Sequence, residues 1–186
     1  SKKLPLRLWV MISQPRPGDY KQLAEYPQIG LGGGFLTVRA VKVYLDGALG
    51  SYGAWLLEPY ADKPGFYGQN TTPIDTLKSI ANLCRKHKLQ CCVHAIGDRG
   101  NREVLNVFEQ SLKGDDKDRR WRIEHSQHID PQDIPRFGQL GVIASMQAIH
   151  CTSDAPFVVK RLGENRARTG AYAWRSLIDA GAWLAA

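Results

Sequence analysis

Apolar runs suited to strands alternate with segments of helical periodicity along this chain, and that rhythm limits its architecture more than any other feature. LRLWVMIS (6–13) reads as a strand, and a loop rich in Pro and Gly leads to a second, LTVRAVKVYLDG (36–47). After the long loop 48–70, Thr72 is expected as an N-cap, Pro73 as the first helical residue and Asp75 in the first turn. Leu77, Ile80, Ala81 and Cys84 then make one apolar helix face. LQCCVHAIG is a strand, Arg99 to Leu112 a helix striped by Val104, Leu105, Phe108 and Leu112, and WRIEHSQ a strand. Asp130 and Pro131 open a short helix carrying Ile134, Phe137 and Leu140. GVIASMQ is the next strand, a helix near 167–180 ends at Gly181, and AWLAA starts one more strand.

Strands alternating with helices form parallel sheets, and strands apolar on both faces are those covered by helices. An open doubly wound sheet and a (β/α) barrel both fit. No GxGxxG follows a strand, so the dinucleotide-binding fingerprint is missing. The polar residues gather instead at the carboxyl ends of successive strands, where barrel enzymes build their sites. A whole barrel takes about 250 residues. At 186 residues, the chain is expected to be a single, incomplete α/β domain: a partial (β/α)8 TIM barrel of five to six βα units.

The net charge of +7 raises the question of nucleic acid. The basic residues are scattered, however, with Arg85, Lys86 and Lys88 at a helix end, where they complement the macrodipole. No aromatic pattern of a nucleic-acid module accompanies them, and no apolar run is long enough to span a membrane. The N-terminal SKKLPLRLWVMIS has too short an apolar core for a signal peptide. The four cysteines include no CxxC pair and read as reduced thiols of a cytoplasmic protein. The expected partner is a small-molecule substrate.

Three strands carry an ionisable residue where a core would be apolar. Alternation places Val41, Val43 and Leu45 on one face of their strand and Lys42, Tyr44 and Asp46 on the other. The bland account of Lys42 is a buried ion pair with Asp46. The functional account is a lysine whose burial frees its neutral amine, either for a Schiff base or for a carbamate that can bridge two metal ions. His94 and His125 each end an apolar strand. Alone, either would be an ordinary core histidine. On consecutive parallel strands about 4.8 Å apart they would aim at one spot, and neutral imidazole is a common zinc ligand. The metal reading leads, and a Schiff-base lyase or aldolase using Lys42 is the alternative, with a non-catalytic binding or assembly protein as a third class.

VKVYLDGALGS, VHAIGDRGNREVL, RIEHSQHIDPQDIPRFGQLGVIASMQAIH and YAWRSLIDAG closely resemble the amidohydrolase superfamily, in the branch called amidohydrolase family 3, which holds YtcJ-like and N-substituted formamide deformylase-like proteins. The resemblance implies metal-dependent hydrolysis of non-peptide C–N bonds by one or two divalent ions, zinc or similar. It makes Lys42 a carboxylated lysine carrying a CO2-derived carbamate, and His94 and His125 metal ligands. Asp46, Gln147 and His150 are expected to face the pocket, to touch substrate or to support ligands. Asp98 has a bland alternative as a helix N-cap, His128 is expected in a solvent-facing loop, and Glu124 is expected to pair with an arginine.

The departures are equally specific. The family's His-x-His pair has no counterpart, since no HxH occurs. Its catalytic aspartate is also missing, and Ser153-Asp154, which follows an earlier strand, is rejected as a substitute. The chain is therefore expected to be a fragment, a degenerate relative or part of a longer protein. Two unpaired sheet edges would favour self-association. The aromatic loop 48–70 is expected to form a lid or wall of the pocket.

Overall fold

Strand order separates the two candidate architectures. The computed structural model describes residues 5–115 and 118–186, so the SKKL that opens the chain lies outside the described residues. Six strands run parallel: β1 (Leu8–Ser13), β3 (Leu36–Tyr44), β4 (Gln90–Ala95), β5 (Arg122–His125), β6 (Ile143–Ser145) and β7 (Trp183–Ala185). They lie side by side in the order β1-β3-β4-β5-β6-β7, while the short β2 (Gln28–Gly30) joins β3 antiparallel. A doubly wound sheet reverses its order at a switch point. This one never does. It is the progression of a barrel wall, left open between β1 and β7, as expected of a partial (β/α) barrel.

The pleat sorts the residues of these strands. Val41, Val43, Cys91, Val93, Ala95 and Ile123 pack in one apolar cluster with Leu77, Ile80, Val104, Leu105 and Phe108. These last belong to helices α2 (Ile74–His87) and α3 (Asp98–Leu112), which cover the outer face and follow a single turn, α1 (Leu31–Gly34). Phe108 meets Trp121 edge-on at 4.8 Å, and the Trp121 indole N–H donates to the Leu89 carbonyl. The alternate residues, Lys42, Tyr44, His94, Arg122 and Glu124, are left to the opposite face.

Several helix ends differ from expectation. Pro73, not Thr72, caps α2, and the Thr72 hydroxyl instead donates to the Tyr44 carbonyl at 2.7 Å, tying the helix start to the end of β3. Asp133 caps α4 (Ile134–Leu140), while Asp130 accepts the Gln132 N–H in the preceding turn. A helix not foreseen, α5 (Ile149–Leu162), contains Pro156, which breaks the pattern by which a helix is recognised. The single helix expected near 167–180 is two, α6 (Glu164–Gly170) and α7 (Trp174–Asp179). They are parted at Tyr172, whose φ is +52° and whose hydroxyl donates to Asp154.

The loop 48–70 is packed, not free. Leu49, Ala54, Leu56 and Tyr60 form a second apolar cluster with Ile96 and with Val158 and Leu162 of α5. Its aromatic rings lie against one another, Tyr52 on Tyr60 at 5.1 Å and Tyr60 on Phe66 at 6.0 Å. They hold the loop down.

Phe108→Ala should destabilise the chain by about 3–5 kcal/mol, because the side chain is fully buried and leaves a cavity against Trp121. Urea unfolding of the two proteins at one pH checks this.

Candidate functional site

Register builds the site. Lys42 pairs with Cys92 and, one strand on, Arg122; Tyr44 pairs with His94, Glu124 and Ser145 in the next row. Residues in one row of a parallel sheet share a face. The Lys42 ammonium nitrogen lies 4.8 Å from the Tyr44 ring centre, and that ring is 5.5 Å from the His94 ring.

His125 does not belong to this row. It pairs with Ala95, and the pleat alone would turn it toward the helix-covered face. Instead His125 has φ +76° and Ser126 φ +43°, a left-handed pair that swings the imidazole back to within 4.4 Å of the His94 ring. Such a conformation costs about 1–2 kcal/mol per non-glycine residue. The surroundings hold it: the Ser126 hydroxyl donates to the Ile123 carbonyl, the His128 N–H to the Ile96 carbonyl, and the buried Asn101 amide to the His128 carbonyl. The two histidines meet as expected, but through backbone conformation, not equivalent positions.

Burial controls the charges. It lowers the His94 pKa to about 3, with help from His125 and Lys42, and it lowers His125 against the opposing bond to Gln147. Both imidazoles are neutral at physiological pH. Lys42 is also lowered by burial, against the attraction of Glu124. The Lys42–Asp46 ion pair is not formed. Asp46 accepts backbone N–H groups from Trp55 at 3.0 Å, Ile96 at 2.9 Å and Gly97 at 2.8 Å, and its Oδ1 lies 3.5 Å from His94 Nε2. Burial pushes its pKa up to about 7, against those three N–H bonds. Its side chain has no solvent exposure.

The remaining predicted residues fall into two groups. Gln147 reaches His125, Oε1 to Nδ1 at 2.6 Å, and the His150 ring lies 5.8 Å from that of His125, so both border the site. Glu124 pairs with Arg122 at 2.9 Å, as expected, but on the same face as His94. Asp98 is the first residue of α3, not its cap, and accepts the Leu57 N–H from the long loop. His128 is corrected: it is 2% exposed, its Nδ1 makes no hydrogen bond, and burial lowers its pKa to about 3. Ser153 and Asp154 lie within α5, where Asp154 accepts from Gln127 and Tyr172. Sequence reading gave no role to Tyr44, which lies half-exposed beside Lys42 and His94; its placement two residues after Lys42 was the available signal.

The donor set suits a divalent ion in part. Two neutral imidazoles adjoin a lysine with a depressed pKa. Among the described residues, no group of three His, Cys, Asp or Glu side chains is arranged to hold a metal.

Fold and site together define an open (β/α)-barrel wall with lysine and histidines at the carboxyl ends of its strands, the arrangement of a barrel hydrolase. The whole chain, residues 1–186, matches the amidohydrolase family, to which it belongs. It is 32% identical over 179 residues to putative amidohydrolase YtcJ of Bacillus subtilis, covering 96% of this chain and 32% of that protein. It is 40% identical over 152 residues to protein LONG AFTER FAR-RED 3 of Arabidopsis thaliana, covering 81% of this chain and 26% of that one. The chain thus spans about a quarter to a third of these relatives. Its structure is similar to that of an uncharacterized metal-dependent hydrolase from Pyrococcus furiosus, with TM-score 0.82 and 29% identity, covering 97% of this chain and 36% of that one. A counterpart from Pyrococcus horikoshii gives TM-score 0.81.

A histidine held neutral by burial stabilises the fold above its unfolded pKa, about 6.5, and that stability is lost as pH falls toward the folded value. Urea stability should therefore drop between about pH 6.5 and pH 4. His128→Gln should reduce the slope by about 1.4 kcal/mol per pH unit, one proton's share.

Proposed function

We propose that this chain carries part of the active site of a metal-dependent hydrolase that cleaves C–N bonds of small non-peptide amides, of the formamide type. The observation that carries the reading is the pair of neutral imidazoles, His94 and His125, 4.4 Å apart on the face that also bears Lys42. Membership of the amidohydrolase family supports it, as do relatives named putative amidohydrolase and metal-dependent hydrolase.

His94, His125 and Lys42 would hold one or two divalent ions, zinc or similar. Such an ion, when bound, polarises a carbonyl and supplies a water of lowered pKa, about 7. Lys42 would contribute as a carbamate. Its neutral amine would add to CO2: one N–C bond forms, one C=O π bond opens with its electron pair passing to oxygen, and the proton lost from nitrogen passes to solvent, leaving a carbamate anion. Gln147 orients His125 through Nδ1, leaving Nε2 for the ion, and His150 borders the substrate. A Schiff base would also use a lysine of lowered pKa, but it gives the paired imidazoles no work. The role proposed for the residues of this chain is to hold the metal.

Four free cysteines support a reducing compartment, the cytoplasm, and no helix among the described residues is long and apolar enough to cross a membrane. The edge strands β1 and β7 expose Trp9 and Trp183, which favours association of copies.

Elemental analysis after growth with zinc and bicarbonate should find at least one ion per chain, and intact mass should show one CO2 added to wild type and none to Lys42→Ala. The double variant His94→Ala/His125→Ala should lose the metal while keeping its circular dichroism. Equal metal in wild type and double variant would sink the proposal.

A further inference from the structure

Asp46 is buried beside the site and accepts three backbone N–H groups. Each carboxylate oxygen is engaged by backbone: Oδ2 takes the N–H groups of Trp55 and Gly97, and Oδ1 takes that of Ile96. A carboxylate has about four acceptor positions. Three are filled by backbone, and Oδ1 faces His94 Nε2 at 3.5 Å. That nitrogen is buried and has no hydrogen bond.

The chemistry of this contact is one-sided. A carboxylate accepts and cannot donate, so an imidazole turned toward it by Nε2 is favoured with its proton on that nitrogen. The lone pair is then on Nδ1. We propose that Asp46 is a positioning residue that holds His94 by its Nε2 edge, in the Nε2–H tautomer, so that the ring presents Nδ1 to the site.

One glycine leaves room for the carboxylate and another for the Trp55 backbone that binds it. A Cβ at Gly100 would lie 2.7 Å from Asp46 Oδ2, and a Cβ at Gly97 would lie 2.1 Å from the Trp55 carbonyl oxygen. That oxygen also accepts the N–H groups of Arg99 and Gly100 at the start of α3. The run VHAIGDRG thus carries a histidine and the two glycines that admit its support. The same carboxylate fastens the start of the long loop to the end of β4, so loop and histidine share one anchor.

The inference rests on the metal reading for its purpose but not for its test. Long-range proton–nitrogen NMR of the metal-free, 15N-labelled chain at about pH 8, above the ordinary histidine range, reports each ring's tautomer. His94 is assigned by the signal lost in His94→Gln. The Nε2–H form should dominate in wild type. In Asp46→Asn the amide places N–H groups beside the ring and should shift His94 toward Nδ1–H; zinc affinity should fall about 10–100-fold. A wild-type His94 in the Nδ1–H form, or an unchanged tautomer in folded Asp46→Asn, would overturn the proposal. Should Asp46→Asn not fold, the wild-type spectrum alone decides, and a His94 in the Nδ1–H form overturns the proposal. Wild-type chain that takes up no zinc would defeat the hydrolase reading alone, because the tautomer is read without metal.

Discussion

The pleat of the parallel sheet is the constraint on which everything else depends. Successive residues of β3, β4 and β5 point to opposite faces, so helices α2 and α3 can bury Val41, Val43, Val93 and Ile123 while Lys42 and His94 are left on the other side. The packing of the outer face fixes the register, since a one-residue slip would send every apolar side chain to the polar face. Lys42, Tyr44 and His94 gather because the core cannot be built otherwise. The site is thus a by-product of the register that the core demands.

At the carboxyl ends of the strands the pleat stops deciding, and hydrogen bonds take over. His125 departs from the face its position assigns, held in a left-handed turn by Ser126, Asn101 and the His128 amide. Asp46 gathers three amides from two separate stretches of chain and lies beside His94. These groups are buried, so their bonds are made without competition from water, and their loss would leave polar groups unpaired. The long loop adds a small core of its own, and its aromatic rings serve that core.

Burial then sets the chemistry. Histidines removed from solvent are neutral, and a lysine removed from solvent gives up its proton more readily. A neutral imidazole offers a lone pair, and a neutral amine can add to an electrophile; neither is available from the charged forms. The same burial acts on His128, which lies outside the site, so a depressed histidine pKa by itself does not mark function here. The proposed metal role rests instead on the proximity of His94 and His125.

Much of this was legible in the chain. Alternation of strands and helices pointed to a barrel wall, the breaks in apolar pattern singled out Lys42, His94 and His125, and the spacing in VKVYLDG placed Lys42 and Tyr44 on one face. These are consequences of periodicity, which a sequence carries explicitly. Helix α5 was hidden by Pro156, the break at Tyr172 by an otherwise helical run, and the burial of His128 by its loop setting. Each depends on a partner distant in sequence. The sequence by itself determined which residues alternate and hence which faces they share. Only the tertiary structure decided that Asp46 lies beside His94 and that His125 turns back to meet it, because both depend on hydrogen bonds from segments that periodicity does not connect.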